Sequence, residues 1–294
     1  MLYRIRHTSK YQYSQPVAVC HNLVRLAPRA DERQRVVSYR LIVSPEPSDQ
    51  ASREDLFGNR VEYFSIHDAH RGLSLTSMCE VEVAAPPAEP ADDPTPWEQV
   101  RDRLRRDSAA LLDEYRFVFS STHIPIDQRL RDYAAPAFTP GRPLGEALDA
   151  LTAQIYKDFE YKSGATTIAT TVHESLESRV GVCQDFAHLG IACLRSLGLA
   201  ARYASGYLRT YPAPGKERLV GADESHAWLS VWSPTAGWLD ADPTNNCRPG
   251  IDHVTIAIGR DYADICPVQG VVVGGGTPTL SVSVDVAPAE RGRG

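Results

Sequence analysis

The chain has 294 residues, of which 43% are hydrophobic and 23% charged, with a formal net charge of −6 and a pI near 5.9. This length is sufficient for one or two domains that bury a sizeable core. The acidic balance offers no basic stripe for a phosphate backbone or an anionic membrane surface. We therefore expect neither nucleic acid nor a membrane among its partners.

The start of the chain and its cysteines indicate a compartment. Residues 1–8 alternate like a strand and lack the apolar core of a signal peptide, and no run of about 18 apolar residues occurs. The cysteines form no C-x-x-C pair, which argues against disulfides and against a structural zinc site in a reducing compartment. These features predict a cytoplasmic protein. The six cysteines are Cys20, Cys79, Cys183, Cys193, Cys247 and Cys266.

The first 85 residues have the patterns of β-structure. Residues 36–43 are rich in strand-forming side chains and end at a Ser-Pro-Glu-Pro breaker. Gly58-Asn59 lies between two apolar segments and predicts a hairpin turn. From Leu73 to Val83, every second residue is apolar or small, as in a half-buried strand. We predict a β-sandwich-like N-terminal domain over residues 1–85 that has a structural or substrate-positioning role.

Residues 84–96 are rich in proline, alanine and aspartate and contain few large apolar side chains. The hydrophobic periodicity changes from that of strands to that of helices across this stretch. We therefore predict a linker over residues 86–98 and a second domain over residues 99–290.

Three helices are predicted after the linker. The first has an apolar stripe with helical spacing from Leu144 to Phe159. The second follows Thr171 and Glu174, which have capping-box spacing, and should end near Gly181. The third begins at Cys183, keeps an apolar face through Leu197 and stops at Gly198.

Beyond Gly198 the pattern is again that of strands. Predicted strands cover residues 200–208, 226–232, 237–242 and 254–258, and a last one alternates over residues 280–286. Residues 274–276 are three glycines and predict a turn. The whole chain is therefore predicted to be α+β, with helices packed on an antiparallel sheet in its second part.

Cys183 is the first candidate for chemistry. A thiol at a helix N-terminus lies at the positive end of the helix dipole, which favours the thiolate. The unpaired N–H groups there can also bind an oxyanion. Cys193, in contrast, lies in the middle of the apolar face and is expected in the core, and His188 is expected to be a packed or surface residue.

His226 and Asp242 complete the candidate site. They lie on two predicted strands joined by a turn around Pro234, at equal distances along the chain from it. Pairing centred on Pro234 would place the two side chains opposite each other, and a centre one residue later would make them diagonal neighbours. Asp240 has the same parity and is the rival carboxylate. Asp242 is preferred because Pro243 ends the ladder beside it.

Each of these residues also has an ordinary structural explanation when it is considered alone. Together they supply a thiolate nucleophile, an imidazole that exchanges protons and a carboxylate that orients the imidazole. A metal site built from the same three residues is an alternative, since their ligand types suit a metal. The spacing supplies no fourth ligand for it.

Three segments resemble the transglutaminase-like superfamily: residues 181–188, 225–228 and 237–245, the last of which contains D-P-T-N. The resemblance is greatest to a bacterial branch of cysteine proteases with an N-terminal β domain, to which residues 3–83 are similar. Residues 259–262 resemble the C-terminal segment of that branch. The family's catalytic Cys, His and Asp fall on Cys183, His226 and Asp242.

The resemblance implies a papain-like α+β core, no cofactor, and thioester chemistry on amide bonds. Members of the superfamily include amide hydrolases, transamidating enzymes and inactive proteins. We expect a peptidase or amidase that acts on a peptide or protein, with a transamidating enzyme or a non-catalytic scaffold as alternatives. Tyr161 and Gln184 are candidates for a second oxyanion donor, with no preference between them. The residues leave the substrate's identity and the oligomeric state open.

Overall fold

A computed structural model of the protein describes residues 1–85, 94–211 and 224–289. An antiparallel N-terminal sheet is followed by a core of helices and a second antiparallel sheet, so the predicted α+β class is confirmed. Most of the predicted linker lies outside the described residues. Among the described residues, no helix is long and apolar enough to cross a membrane.

The N-terminal sheet contains five consecutive strands in the order β2-β5-β1-β4-β3. Alternation buries one face of β5, from Leu73 through Val83, as its sequence predicts. The predicted turn at Gly58 connects β3 and β4, and its φ of 72° suits glycine. The strands are β1 (Leu2–Val24), β2 (Gln34–Ser44), β3 (Asp49–Glu54), β4 (Arg60–Ile66) and β5 (His70–Val83).

In the part of the chain that the structure describes, five helices precede the central one. They are α1 (Trp97–Arg106), α2 (Leu112–Tyr115), α3 (Gln128–Ala134), α4 (Leu144–Asp158) and α5 (Val172–Ser178), and a short 3-10 helix covers Arg116–Val118. The stripe on α4 is buried, and the capping box of Thr171 and Glu174 is formed at the start of α5.

Helix α5 ends at Ser178, earlier than the predicted stop near Gly181. Arg179 adopts a left-handed conformation with φ of 58°, which breaks the helix. The next two residues form β7 (Val180–Gly181), which pairs in parallel with β6 (Glu160–Tyr161). The chain therefore enters the next helix from a fixed strand.

Helix α6 (Cys183–Ser196) lies at the centre of the core and is buried from Asp185 to Ser196. It begins at Cys183, as predicted, and Gly198, with φ of 83°, follows its end. Gly190 faces β9 (Glu224–Ser233) so closely that an added Cβ would lie 2.3 Å from Leu229 Cδ2. The missing side chain lets the helix approach the sheet.

The second sheet has the order β10-β9-β8-β11 and is antiparallel throughout. Its other strands are β8 (Ala201–Leu208), β10 (Gly237–Ala241) and β11 (His253–Gly259), and α7 (Tyr262–Ile265) follows them. The predicted hairpin of β9 and β10 is confirmed. β9 is buried from His226 to Ser233, and α6 packs against one of its faces.

The last two strands return to the N-terminal sheet. β12 (Val268–Gly274) and β13 (Pro278–Pro288) both pair with β1, and the three glycines at 274–276 make the turn between them. Strands from both ends of the chain are thus neighbours in one sheet. The division into residues 1–85 and 99–290 stays a prediction.

Candidate active site

The thiol of Cys183 lies at the first turn of α6 and is half-buried. Asp185, one turn into the helix, fixes this start, because its carboxylate accepts a hydrogen bond of 2.8 Å from the Val182 N–H. The same carboxylate accepts a 2.6 Å bond from the Thr166 hydroxyl. The position of the thiol therefore depends on a buried, hydrogen-bonded cap.

The imidazole of His226 is brought to this helix end by β9. It is 6% exposed and its Nε2 lies 2.7 Å from Asp242 Oδ2. Cys183 is close enough to His226 to raise the pKa of its imidazole. Since Asp242 engages Nε2, Nδ1 is the ring nitrogen left to exchange a proton with the thiol.

The position of Asp242 follows from the hairpin register. Asp240 pairs with Ser230, so Asp242 is a diagonal neighbour of His226, which is the later of the two registers considered from the sequence. Asp242 lies just past the end of β10, where its backbone exchanges hydrogen bonds of 2.8 and 3.2 Å with Cys247. This bridge holds the carboxylate at the end of the ladder.

The carboxylate of Asp242 is fully buried and saturated with donors. Its Oδ2 accepts bonds from His226, from His253 at 3.1 Å and from the Asn245 side chain at 2.7 Å. Its Oδ1 accepts from the N–H of Thr244 at 2.9 Å. Burial alone would raise the pKa of Asp242, but the bonds from the two histidines and Asn245 outweigh it and hold that pKa well below its usual range.

The charge state of His226 follows from the same contacts. Burial lowers its pKa, but hydrogen bonds and attraction to Asp242 and Cys183 are stronger and raise the pKa to about 10. The imidazole is therefore protonated at neutral pH. An imidazolium beside a thiol stabilises the thiolate form.

His253 is the functional-site residue that the sequence did not reveal. Its Nδ1 accepts a 3.3 Å bond from the Gly250 N–H, so its proton lies on Nε2 and is donated to Asp242. It begins β11, which lies at the opposite edge of the sheet from β10. Only the order of strands could have indicated this contact. Asn245, in contrast, lies within the D-P-T-N motif.

Side-chain atoms of His226, Asp242 and His253 lie within 4.8 Å of one another, as metal ligands could. The hydrogen bonds do not suit a metal, because Nε2 of His253 carries a proton that it donates to Asp242. Both imidazoles would have to release their Nε2 protons to bind one ion. This set also differs from the metal alternative considered from the sequence, which used Cys183.

The rival carboxylate, Asp240, has other partners. It accepts a hydrogen bond from Ser230 and lies near Arg202, whose guanidinium stacks over Trp238 at 4.1 Å. Burial raises the pKa of Asp240. Asp240 lines a separate cavity of about 350 Å³, together with Arg33 and Trp238.

His188 and Cys193 are packing residues, in agreement with the sequence analysis. Cys193 is fully buried. His188 is 3% exposed, stacks on His123 with ring centroids 5.3 Å apart and accepts a bond from the Tyr262 N–H. Burial lowers the pKa of His188 to about 3, so the ring is neutral. Among the remaining cysteines Cys247 is exposed, while partial burial and Asp242 raise its pKa to about 11.

A cleft of about 430 Å³ opens beside Cys183 and His226. One wall comes from the helix and sheet of the core, including Gln184, Tyr203 and Tyr262. The other comes from β1 and β13 of the N-terminal sheet. Of the two oxyanion candidates, Gln184 lines the cleft, whereas Tyr161 is 46% exposed and packs edge-on against Phe186.

Two family profiles match the chain. The bacterial transglutaminase-like N-terminal region matches residues 3–82, and the transglutaminase-like superfamily matches residues 131–243, which include Cys183, His226 and Asp242. An uncharacterized protein of Mycobacterium tuberculosis is 43% identical over 98% of this chain and 93% of its own length. A protein-glutamine gamma-glutamyltransferase of Pseudomonas aeruginosa is 33% identical over 34% of this chain and 16% of its own length.

Among solved structures, that of a candidate cysteine protease from Cytophaga hutchinsonii is similar to this chain, with a TM-score of 0.75 and 23% identity. The match covers 99% of this chain and 92% of that one. At this identity the likeness concerns the fold, and it extends over both sheets and the helices between them. With these two profile matches and a relative that is 43% identical over 98% of the chain, the chain belongs to the transglutaminase-like superfamily.

Proposed function

We propose that the protein is a cysteine-nucleophile enzyme that hydrolyses amide bonds in peptides or proteins. In this proposal Cys183 attacks the substrate, His226 exchanges protons with it and Asp242 orients His226. The observation that carries the proposal is the 2.7 Å bond between His226 and a fully buried carboxylate, next to a thiol at a helix N-terminus.

The reaction would begin from a thiolate of Cys183 paired with the imidazolium of His226. The thiolate attacks the carbonyl carbon, and the carbonyl oxygen becomes an oxyanion. When the intermediate collapses, the C–N bond breaks and the amine leaves with the proton from Nδ1 of His226. The neutral imidazole then takes a proton from water, the resulting hydroxide attacks the thioester, and the acid product and the thiolate are released.

The oxyanion would be stabilised at the start of α6. The first N–H groups of a helix have no partners within the helix and point toward its N-terminal end, where the dipole is positive. The N–H of Cys183 is one of them. Gln184 is the better candidate for a second donor, because it lines the same cleft.

Transfer of the acyl group to an amine is the second candidate function. It is favoured by the local similarity to the glutamyltransferase of Pseudomonas aeruginosa. A transferase must keep water from its thioester, and aromatic side chains such as those of Trp228, Trp232 and Trp238 are suited to that role. None of the three is among the described residues that line the cleft. Water therefore stays the default acceptor.

The test uses a broad peptide library with and without an excess of a primary amine, followed by mass spectrometry. We expect mainly hydrolysed products, which vanish in Cys183→Ala. Amine adducts that predominate at modest amine concentration would establish the transferase instead. If the library yields neither product, the scaffold alternative is favoured. A peptide substrate and a location in the cytoplasm remain predictions.

A further inference from the structure

β13 contributes, together with β1, the wall of the cleft that comes from the N-terminal sheet. Leu280 and Val282 of this strand line the cleft, and each is 51% exposed. Ile168, which is 63% exposed, lines it as well. Exposing large apolar side chains to water is unfavourable in free energy. When such side chains lie together in a concave site, they indicate a surface that binds a ligand.

These side chains continue an apolar ridge from the core. Side chains alternate along a strand, so Leu280, Val282, Val284 and Val286 lie on one face of β13. Val284 and Val286 are buried at 2% and 0% exposure, as part of the main core cluster. The outer half of the ridge has the same chemistry, but none of the described residues buries it. It lines the same cleft as Cys183.

Among the cleft residues that the structure describes, only the proposed catalytic pair would carry a formal charge. No Asp, Glu, Lys or Arg is among its described lining residues. His7 lines it, and burial lowers the pKa of His7 to about 4, so this ring is neutral at pH 7. Its other polar groups include hydroxyls of Ser9, Ser205 and Ser225. A charged substrate group would lose its hydration here without gaining a partner.

We propose that this cleft selects an uncharged, apolar side chain of the size of leucine or phenylalanine beside the reacting amide, with Leu280 and Val282 as the residues that determine specificity. The inference rests on the proposed role of Cys183 as the nucleophile. It adds that the N-terminal sheet takes part in substrate recognition through the strand that returns to it.

Haloacetamide probes test the inference without a known substrate. N-butyl-iodoacetamide and N-(3-carboxypropyl)-iodoacetamide have chains of similar length, but only the second ends in a carboxylate. In both, the thiolate of Cys183 forms an S–C bond with the methylene carbon as the C–I bond breaks and iodide leaves. Rates are measured by mass spectrometry on protein with Cys247→Ser, which removes the exposed thiol, and are divided by the rates with a free small thiol.

We expect the butyl probe to label Cys183 at least about tenfold faster than the carboxylate probe, because a terminal methyl group gains about that factor from an apolar site while a carboxylate would lose its hydration there. Leu280→Lys should raise the rate of the carboxylate probe relative to the butyl probe. The matched control is Val271→Lys on β12, because Val271 is 67% exposed in the same sheet but does not line the cleft. It should leave the ratio unchanged.

Equal normalised rates for the two probes would overturn the inference. So would a change of the ratio in Val271→Lys as large as that in Leu280→Lys. These outcomes are separate from the proposed function: selective labelling without turnover of any peptide contradicts the hydrolase alone. Hydrolysis without probe selectivity contradicts the apolar specificity alone.

Discussion

At the scale of single residues, the buried carboxylate of Asp242 governs the site, because it fixes both the position and the charge of His226. The pairing with His226 is direct, whereas Asp240 is bonded to Ser230 and lies near Arg202. An amide in place of Asp242 would lose the negative charge and could hold His226 in the wrong tautomer. The two aspartates therefore form a matched pair for mutation.

Asp242→Asn should lower turnover by about 10³- to 10⁴-fold, as loss of the orienting carboxylate does in other triads. Asp240→Asn should stay within a few-fold of the wild type. The rate of Cys183 labelling by iodoacetamide at pH 7 is a second readout, and it should fall only in Asp242→Asn. A larger loss in Asp240→Asn would reverse the assignment.

His253 tests whether the second imidazole on Asp242 positions the site. His253→Leu removes the bond to Oδ2 and concentrates the carboxylate's charge on His226. We expect turnover to fall about 10- to 100-fold, the range for a lost hydrogen bond to a charged group. NMR titration should show the pKa of His226 rising above its value of about 10. His253→Gln, which can still donate to Asp242, should restore both readouts. Equal losses in the two variants would indicate a role in packing only.

At the scale of elements, the contact between α6 and β9 determines how close the thiol and the imidazole come. These elements carry Cys183 and His226, and they meet where Gly190 faces Leu229. Leu229 is 1% exposed, so it has little room to move away from an added methyl group.

Gly190→Ala should destabilise the protein by about 1 kcal/mol, because overpacking of about 1–3 kcal/mol exceeds the gain of about 1 kcal/mol in helix propensity. In a Leu229→Ala background the same change should become neutral or stabilising, and a double-mutant cycle from denaturant unfolding measures this coupling. The control is Gly250→Ala, where an added Cβ would meet no heavy atom within 4 Å. Additive effects of Gly190→Ala and Leu229→Ala would contradict a close contact.

The elements that carry the site were predictable because their signals are local. The helix beginning at Cys183 and the hairpin of β9 and β10 follow from glycine stops, alternation and a turn. The early end of α5 was not predictable, because it depends on a left-handed Arg179 and on pairing with β6, a strand of two residues. Contacts between distant segments, such as His253 with Asp242, depend on strand order, which periodicity does not encode.

At the scale of the whole molecule, both ends of the chain build one sheet, and that sheet is joined to the core through buried polar contacts. His7 of β1 is 3% exposed, and its two ring nitrogens lie 3.0 Å from the Tyr207 hydroxyl and 2.9 Å from the Ser9 hydroxyl. Neutral imidazole satisfies both, one nitrogen accepting and the other donating. A protonated ring would place a charge between the N-terminal sheet and the core.

The buried histidines His7, His188 and His226 make the free energy of unfolding depend on pH both below and above about 6.5. Burial lowers the pKa of His7 to about 4 and that of His188 to about 3, so below pH 6.5 the unfolded chain binds protons that the folded protein does not. Stability from these groups is complete above pH 6.5 and is lost as the pH falls. His226 acts in the opposite direction: its pKa of about 10 means that its contribution is complete below pH 6.5 and is lost as the pH rises.

The free energy of unfolding should therefore be greatest near pH 6.5 and should decrease by up to about 1.4 kcal/mol per pH unit for each titrating histidine. Urea unfolding between pH 5.5 and 9 measures this curve. Burial raises the pKa values of Asp185 and Asp240, so these two groups oppose the loss of stability at low pH. His7→Gln keeps one donor and one acceptor without a titrating proton, so it should reduce the loss of stability below pH 6.5 to the part that His188 contributes and leave the loss above pH 6.5 unchanged. His226→Gln should instead reduce the loss of stability above pH 6.5 and leave the loss below pH 6.5 unchanged. A curve that keeps its slope on both sides in both variants would contradict these charge states, and with them the imidazolium that the proposed function requires of His226.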